Sequence, residues 1–419
     1  MRFLHTALAL MLAPAALAQH PVAQIKIAGN VRLPAAAVIA ATGLRVGQTA
    51  TRAQFDAAAQ KLADTGLFAS VSYEYDPQTI GGVTGYALTF RVSEQRALVP
   101  VELDIPGQDT EHLWQQLKSS NGLIDRQMPD NELASAYYKR AVEAVLRKSN
   151  QPEEVVVVNE KGDLYSGKPR VAFRPANLPK IAAIRFEGNA AIVDARLQAA
   201  MARVAIGQEY TERDFRSMLE LNVRPLYEEL GRLTMTFPRV SMARADHATR
   251  DAAITVTAGI DEGPEWRLGN VVLSGAALPL ADMHEAARFD RGSPANWKEF
   301  MASVAKMEQV LRRDGYIHVY SNAVRSFQKP ARIVDVTVEV AKGPQFMFGE
   351  LHIEGLDADT QKRLNALWQL PSGAPMNQPY IDEFVHSALP ILRGKFKTFK
   401  SWLQPHSGAN VVDVMLRFS

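Results

Sequence analysis

Five short runs of alternating apolar and polar residues recur along the chain, and each ends on a glycine. They are QIKIAG at Gly29, ELDIPG at Gly107, AIRFEG at Gly188, NVVLSG at Gly275 and ELHIEG at Gly355, at nearly equal intervals. The positions four and two before the glycine are always apolar: Ile25/Ile27, Leu103/Ile105, Ile184/Phe186, Val271/Leu273 and Leu351/Ile353. The residues between them, Lys26, Asp104, Arg185, Val272 and His352, are polar in four of the five runs. Period-two alternation predicts a strand with one buried face, and a glycine lets the chain turn sharply where the strand ends.

A second landmark follows in four units. Gly47, Gly207, Gly292 and Gly373 stand at an almost constant distance from the first glycine, after helix-compatible stretches such as PAAAVIAATGL. Eight residues further on, Phe55, Phe215, Phe300 and Ile381 each open a longer amphipathic run at helical spacing, as in Phe300, Val304, Met307 and Leu311. These runs end at Gly66, Gly231, Gly315 and Gly394, the residue type expected just past a helix C-terminus. Alternating β-type residues close each unit: Tyr86 to Val92, Val171 and Phe173, Ile254 and Val256, Val334 to Val340, and Val412 to Phe418. A shorter strand precedes the closing one, most clearly at Val71, Tyr73 and Tyr75. The unit therefore reads strand, helix, helix, strand, strand. Its second copy departs most, with no glycine after Leu146 and with Gly122 closer to Gly107 than the other copies allow.

Hydrophobic-x-hydrophobic-x-Gly-Asn in IKIAGN and IRFEGN, followed by a glycine with an aromatic eight residues on, then Gly66-x-Phe68-x-x-Val71, resembles the POTRA repeat. Five tandem copies are similar to the periplasmic part of the BamA family of outer-membrane protein assembly factors. The resemblance implies an α+β fold in which two helices cover a three-stranded mixed sheet, repeated as an elongated array. Expected bounds are 22–94, 97–175 (the degenerate copy), 178–262, 264–342 and 345–419. It also implies a role in chaperoning and inserting β-barrel proteins. The fifth unit closes at Phe418-Ser419, which leaves no room for a barrel. The expectation is a POTRA-only chain working beside a separate outer-membrane β-barrel protein.

Composition narrows the alternatives. The chain has 419 residues, 47% hydrophobic and 22% charged, with a formal net charge of +2 and no cysteine. That is a folded, nearly neutral protein without the basic field nucleic acid requires. Absence of cysteine removes disulfides, Cys-ligated zinc and Fe–S clusters. At the N-terminus, Arg2, the apolar run 7–13 and the small residues Ala16 and Ala18 fit a signal peptide over 1–18. The mature chain is then expected in the periplasm, peripheral to the outer membrane.

Candidate chemistry is sparse. The nine histidines are scattered without HExxH spacing, and there is no GxSxG, Walker-type loop or GxGxxG after a strand. Asp282-Met283-His284-Glu285 reads as a solvated helix start. Glu153-Glu154 and Glu228-Glu229 read as exposed surface, and Gly81-Gly82 as a hairpin loop. Arg393, Lys395, Lys397 and Lys400, interleaved with Phe396, Phe399 and Trp402, read as a solvated edge with aromatics turned inward. No catalytic, cofactor-binding or metal-binding residues are expected, and no small-molecule substrate.

What the unit does carry is an edge strand with unpaired backbone groups. The expected function is therefore non-catalytic capture of extended polypeptides by strand addition, in support of outer-membrane protein assembly. The partners expected are unfolded outer-membrane protein chains. The edges expected to do this are Val71, Ser72, Tyr73, Glu74 and Tyr75 in the first unit, and His318, Val319, Tyr320 and Ser321 in the fourth. A subunit of a secretion or other envelope complex with a different client is the alternative, and a periplasmic enzyme a more distant one.

Overall fold

The computed structural model describes residues 20–80, 82–149, 154–160, 169–244 and 253–419. The expected leader (1–18), Gly81 of the hairpin and Glu153 lie outside the described residues. Secondary structure follows one plan five times. The first repeat has β1 (His20–Ala28), α1 (Ala35–Thr42), β2 (Thr49–Ala50), α2 (Arg52–Ala63), β3 (Phe68–Ile80) and β4 (Val83–Glu94). The second has β5 (Leu98–Leu103), α3 (Thr110–Ser120), β6 (Gln127–Pro129), α4 (Glu132–Lys148), β7 (Val155–Glu160) and β8 (Arg170–Pro175). In the third come β9 (Ile181–Glu187), α5 (Asp194–Ala205), α6 (Glu212–Asn222), α7 (Arg224–Glu228), β10 (Thr236–Arg244) and β11 (Ile254–Asp261). The fourth is β12 (Arg267–Ser274), α8 (Leu280–Ala286), α9 (Trp297–Arg313), β13 (Tyr320–Gln328) and β14 (Ile333–Ala341). The fifth is β15 (Met347–Glu354), α10 (Ala358–Leu367), α11 (Tyr380–Leu392), β16 (Phe399–Pro405) and β17 (Val411–Phe418).

In each sheet the last strand of the repeat lies in the middle. In the first, second, fourth and fifth sheets it pairs parallel to the first strand, as β1 with β4, and antiparallel to the preceding one, as β3 with β4. The sheets are thus mixed, as the resemblance implied. The first two carry a fourth strand that the sequence pattern did not predict, β2 on β1 and β6 on β5. For β2 the origin is the glycine landmark; in the second repeat, which lacks that glycine, Val101 N–H donates to the Arg126 carbonyl beside β6. Gly47, Gly207, Gly292 and Gly373 have φ of 80–88°. That left-handed turn aims each N–H at the first strand, onto the carbonyls of Val22, Ile181, Leu268 and Phe348 at 2.7–2.8 Å. The next residue's carbonyl accepts a bond back from the same four residues, at 2.8–3.0 Å. A two-bond clasp therefore ties the inter-helix loop to the sheet in four repeats, and in the first it extends into a short strand. The first strand of the second repeat stops at Leu103, before the expected Ile105, which is buried all the same.

By contact density the chain divides into two compact units. One is built on the first two sheets, the other on the last two, and the division passes through the third repeat. Within the first unit, the buried apolar residues from Val22 to Phe173 form one continuous cluster. In the second unit, the fourth and fifth sheets have separate clusters led by Phe300 and Phe384.

The glycines past the second helix also join repeats. Trp266 N–H donates to the Gly231 carbonyl at 2.9 Å, and Phe346 N–H to that of Gly315 at 2.8 Å. The carbonyls of Trp266 and Phe346 in turn accept from Ala295 and Met376, so each aromatic residue bridges the preceding repeat and its own clasp loop. Gly66 meets the second repeat differently, its carbonyl accepting from the Asn131 side chain at 2.9 Å.

Candidate functional site

On one side of each central strand lies an outer strand, β3, β7, β10, β13 or β16, and among the described residues no further strand pairs with any of them; β9, β12 and β15 are the outer strands on the other side of the last three sheets. Backbone groups along an edge strand alternate between its partner and the open side. Three observations fix that alternation for β3. Ile80 pairs with Val83 across a two-residue hairpin, which makes that pair a hydrogen-bonded one. Pro77, opposite Tyr86, has no N–H to give and occupies the non-bonded phase. The Val92 carbonyl points at the β1 end, towards Gly29, and so does not serve β3. The N–H groups of Val71, Tyr73 and Tyr75 therefore face outward, whereas those of Ser72 and Glu74 bond to Arg91 and Thr89.

The same reasoning applies to the fourth repeat. The Arg332 carbonyl accepts from Arg267 in β12, so alternate residues from Ile333 to Ala341 serve β13. They pair with Tyr320, Asn322, Val324, Ser326 and Gln328, which leaves Ser321, Ala323, Arg325 and Phe327 with outward N–H and carbonyl groups. The fifth repeat confirms the rule. There His406 N–H bonds to Val411 and Ser419 N–H to Thr398, which places Pro405 in the outward phase.

The expected edge in the first repeat lies wholly within β3. In the fourth repeat only Tyr320 and Ser321 are in the strand. His318 and Val319 belong to the turn before it, where Val319 N–H bonds to the Tyr316 carbonyl at 3.2 Å. Val319 is drawn into the core, and the His318 ring stands edge-on to Phe346 at 5.3 Å. The true edge runs on to Gln328, further than the alternating pattern suggested. Like β7, it is free of proline. Prolines interrupt β3 at Pro77, β10 at Pro238 and β16 at Pro405, but β13 has none from Tyr320 to Gln328. Its open face shows Tyr320, 66% exposed, and Val324, 45% exposed.

Beneath that strand, Arg325 stacks on Trp297 at 3.7 Å and pairs with Glu228 at 2.9 Å. Glu229 pairs with Lys298 at 2.8 Å and Arg196 at 3.2 Å, and those bonds hold its carboxyl below the usual range. The expectation of exposed surface for Glu228-Glu229 is thus corrected. Both are partly covered and tie the third repeat to the fourth, a role invisible in sequence because their partners lie far along the chain. Asp282-Met283-His284-Glu285 falls on α8 with Met283 buried. Among the described residues no group of three or more His, Asp or Glu is arranged to hold a metal. Phe396 and Phe399 pack on Phe418, at 5.2 and 5.0 Å. No helix of the described residues is long and apolar enough to cross a membrane.

One perturbed carboxyl lies in the first unit. Burial, with Glu102, Asp214 and Glu160 around it, pushes Asp104 from 3.8 up to about 7, against the opposing pull of Arg213. Folding therefore favours the neutral acid, and this contribution is lost as pH rises from about 4 to about 7. Asp104→Asn should remove that pH dependence and add about 1–2 kcal/mol at pH 8, after allowance for solvent screening. Urea unfolding of both proteins at pH 5 and pH 8 measures it, and parallel pH profiles would show that Asp104 contributes nothing.

The fold is a repeated α+β unit whose outer strands carry open backbone groups. Residues 20–95 match the POTRA family, described as a surface antigen variable number repeat. The first repeat matches that family, and the other four repeats share its strand order, with the closing strand in the middle of the sheet. Comparison with curated protein sequences returned no match. Among solved structures, the chain is similar to POTRA3-5 of BamA from Haemophilus influenzae, at 19% identity and a TM-score of 0.42, covering 57% of this chain and 96% of that one. It is similar to the N-terminal domain of Omp85 from Thermosynechococcus elongatus at 12% identity and a TM-score of 0.17, covering 77% and 97%. CdiB from Escherichia coli follows at 17% and 0.19, covering 55% of this chain and 36% of that one.

Proposed function

We propose that this chain is a non-catalytic POTRA module of the bacterial envelope that captures extended outer-membrane protein chains by strand addition. The observation that carries the reading is the row of outward backbone groups at Ser321, Ala323, Arg325 and Phe327 on a proline-free edge. An incoming strand gains a bond at every second residue there, whatever its sequence, which suits a module serving many clients. Val71, Tyr73 and Tyr75 form a second, shorter edge of the same kind. The site of action is the periplasm after removal of residues 1–18, with a separate outer-membrane β-barrel protein as the machine served. Five domains bounded near 22–94, 97–175, 178–262, 264–342 and 345–419 present these edges, supported by the five separate sheets.

The test is Ala323→Pro, which removes one outward N–H and sets a ring against the incoming strand while sparing the bonds to β14. Binding of an unfolded β-barrel protein segment should weaken about 10-fold, the loss of one good hydrogen bond. Circular dichroism should show the fold retained. Undiminished capture by a folded Ala323→Pro protein would refute β13 as the docking edge.

A further inference from the structure

Where the fourth repeat meets the fifth, within the second compact unit, there is a cavity of about 260 Å³. Its lining is mostly apolar: Ile317 from the turn before β13, Phe346 just ahead of β15, Leu403 and Pro405 of β16, and Val412 of β17. The His318 ring also lines it, edge-on to Phe346 at 5.3 Å. Ile317 and Leu403 are half-buried and Pro405 is exposed, so the cavity lies at the margin of the core, not inside it.

Register ties this cavity to the edge of the fifth sheet. Leu403 pairs with Val414 and Pro405 with Val412, and both valines are buried in the core. Opposite residues of an antiparallel pair share a face of the sheet, so Leu403 and Pro405 stand on the helix-covered face. Thr398 and Ser419 exchange backbone bonds, and His406 N–H donates to Val411. Alternate residues from Thr398 to His406 therefore face β17, and Phe399, Ser401 and Leu403 turn their N–H groups outward. In a strand added to β16, the residue opposite Leu403 would project its side chain on the same face, against the cavity. Pro405 has no N–H to offer, so the row of outward donors stops at Leu403. A strand added here gains less from backbone bonds than one on β13, and a seated side chain counts for more.

We infer that this cavity is the side-chain pocket of the β16 edge, and that it takes the phenyl ring of a phenylalanine in an extended partner segment. An apolar cavity of about 150 Å³ is enough to hold benzene, so a phenyl ring and its methylene fit here. The rings of Phe346 and His318 on the wall suit the tilted contacts that aromatic pairs prefer. The inference rests on the strand-addition reading and adds to it a preference for sequence, since backbone bonds supply affinity and a pocket beside them supplies selectivity.

The probes are two blocked heptapeptides, Thr-Thr-Lys-Phe-Glu-Thr-Thr and its counterpart with alanine for phenylalanine, each added to the full chain. The phenylalanine peptide should bind about 10-fold tighter, the scale of burying one ring, and should slow exchange of the Ser401 and Leu403 amides. Leu403→Trp fills the cavity from β16 and Ile317→Trp fills it from the turn before β13, and either should erase the preference. Pro405→Ala adds an outward N–H and should tighten both peptides about 5-fold while keeping their ratio. Equal binding of the two peptides with Ser401 and Leu403 protected would overturn the pocket and leave strand addition standing. A phenylalanine preference with those amides unprotected, or one that survives both tryptophan variants, would place the ring elsewhere and overturn the inference. No binding of either peptide at millimolar concentration would overturn it together with β16 as a docking edge.

Discussion

Gly355→Ala should cost about 3–5 kcal/mol, enough to unfold the fifth repeat. At φ +85°, an added Cβ would stand 1.8 Å from the Phe418 carbonyl oxygen and 2.9 Å from its carbon. That backbone cannot retreat, because Phe418 lies in the central strand between β15 and β16. The left-handed conformation contributes about 1–2 kcal/mol of the cost, and displacement of the strand supplies the rest. Gly373→Ala separates the two terms. Its φ is +81°, but its Cβ would meet nothing within 4 Å, so it should lose only about 1 kcal/mol. Urea unfolding of both variants checks the difference, and similar losses would show that the close approach is unimportant. Gly29 and Gly188 stand in the same relation to the Val92 and Ile260 carbonyls, at 2.2 and 2.3 Å.

Phe55→Ala should cost about 3–5 kcal/mol, and the effect should not stop at the first repeat. Phe55 is fully buried, with the rings of Tyr73, Tyr75 and Tyr86 at 6.1, 5.4 and 5.9 Å. Because the apolar cores of the first two repeats are continuous, they should unfold together in one transition. Phe300→Ala, in the separate cluster of the fourth repeat, should leave that transition unmoved. Calorimetry of the two variants distinguishes them. A Phe55→Ala protein in which the second repeat melts at its original temperature would contradict a shared core.

Much of this architecture was legible because the repeat writes the same glycines again and again. Ile25, Ile184 and Leu103 are buried where alternation placed them, and Phe55, Phe215 and Phe300 anchor their helices in the core. The glycine at 47, 207, 292 and 373 was visible as a landmark, yet its meaning was not. A clasp bond to a carbonyl far back in the chain, as from Gly47 to Val22, has no periodic signature. Edge phase was hidden for a related reason. Side-chain alternation reports which face of the sheet is covered, while the direction of an N–H depends on register with a distant strand. Ser72 and Glu74 stand in the expected edge, but their N–H groups hold β3 to β4. Val319 looked like strand because it is β-branched and apolar, and it is instead a core residue in a turn.

Amide hydrogen exchange across β13 tests the central claim most directly. The probe is a synthetic peptide copying the closing strand of an outer-membrane β-barrel protein, added to the uniformly labelled full chain. In the free protein, Asn322, Val324 and Ser326 should exchange slowly, since their N–H groups bond to β14, while Ser321, Ala323, Arg325 and Phe327 exchange fast. On peptide binding, strand addition predicts that those four alternate amides become protected and the intervening ones change little. Bound peptide with the four amides still exchanging at their free rates would contradict the mechanism.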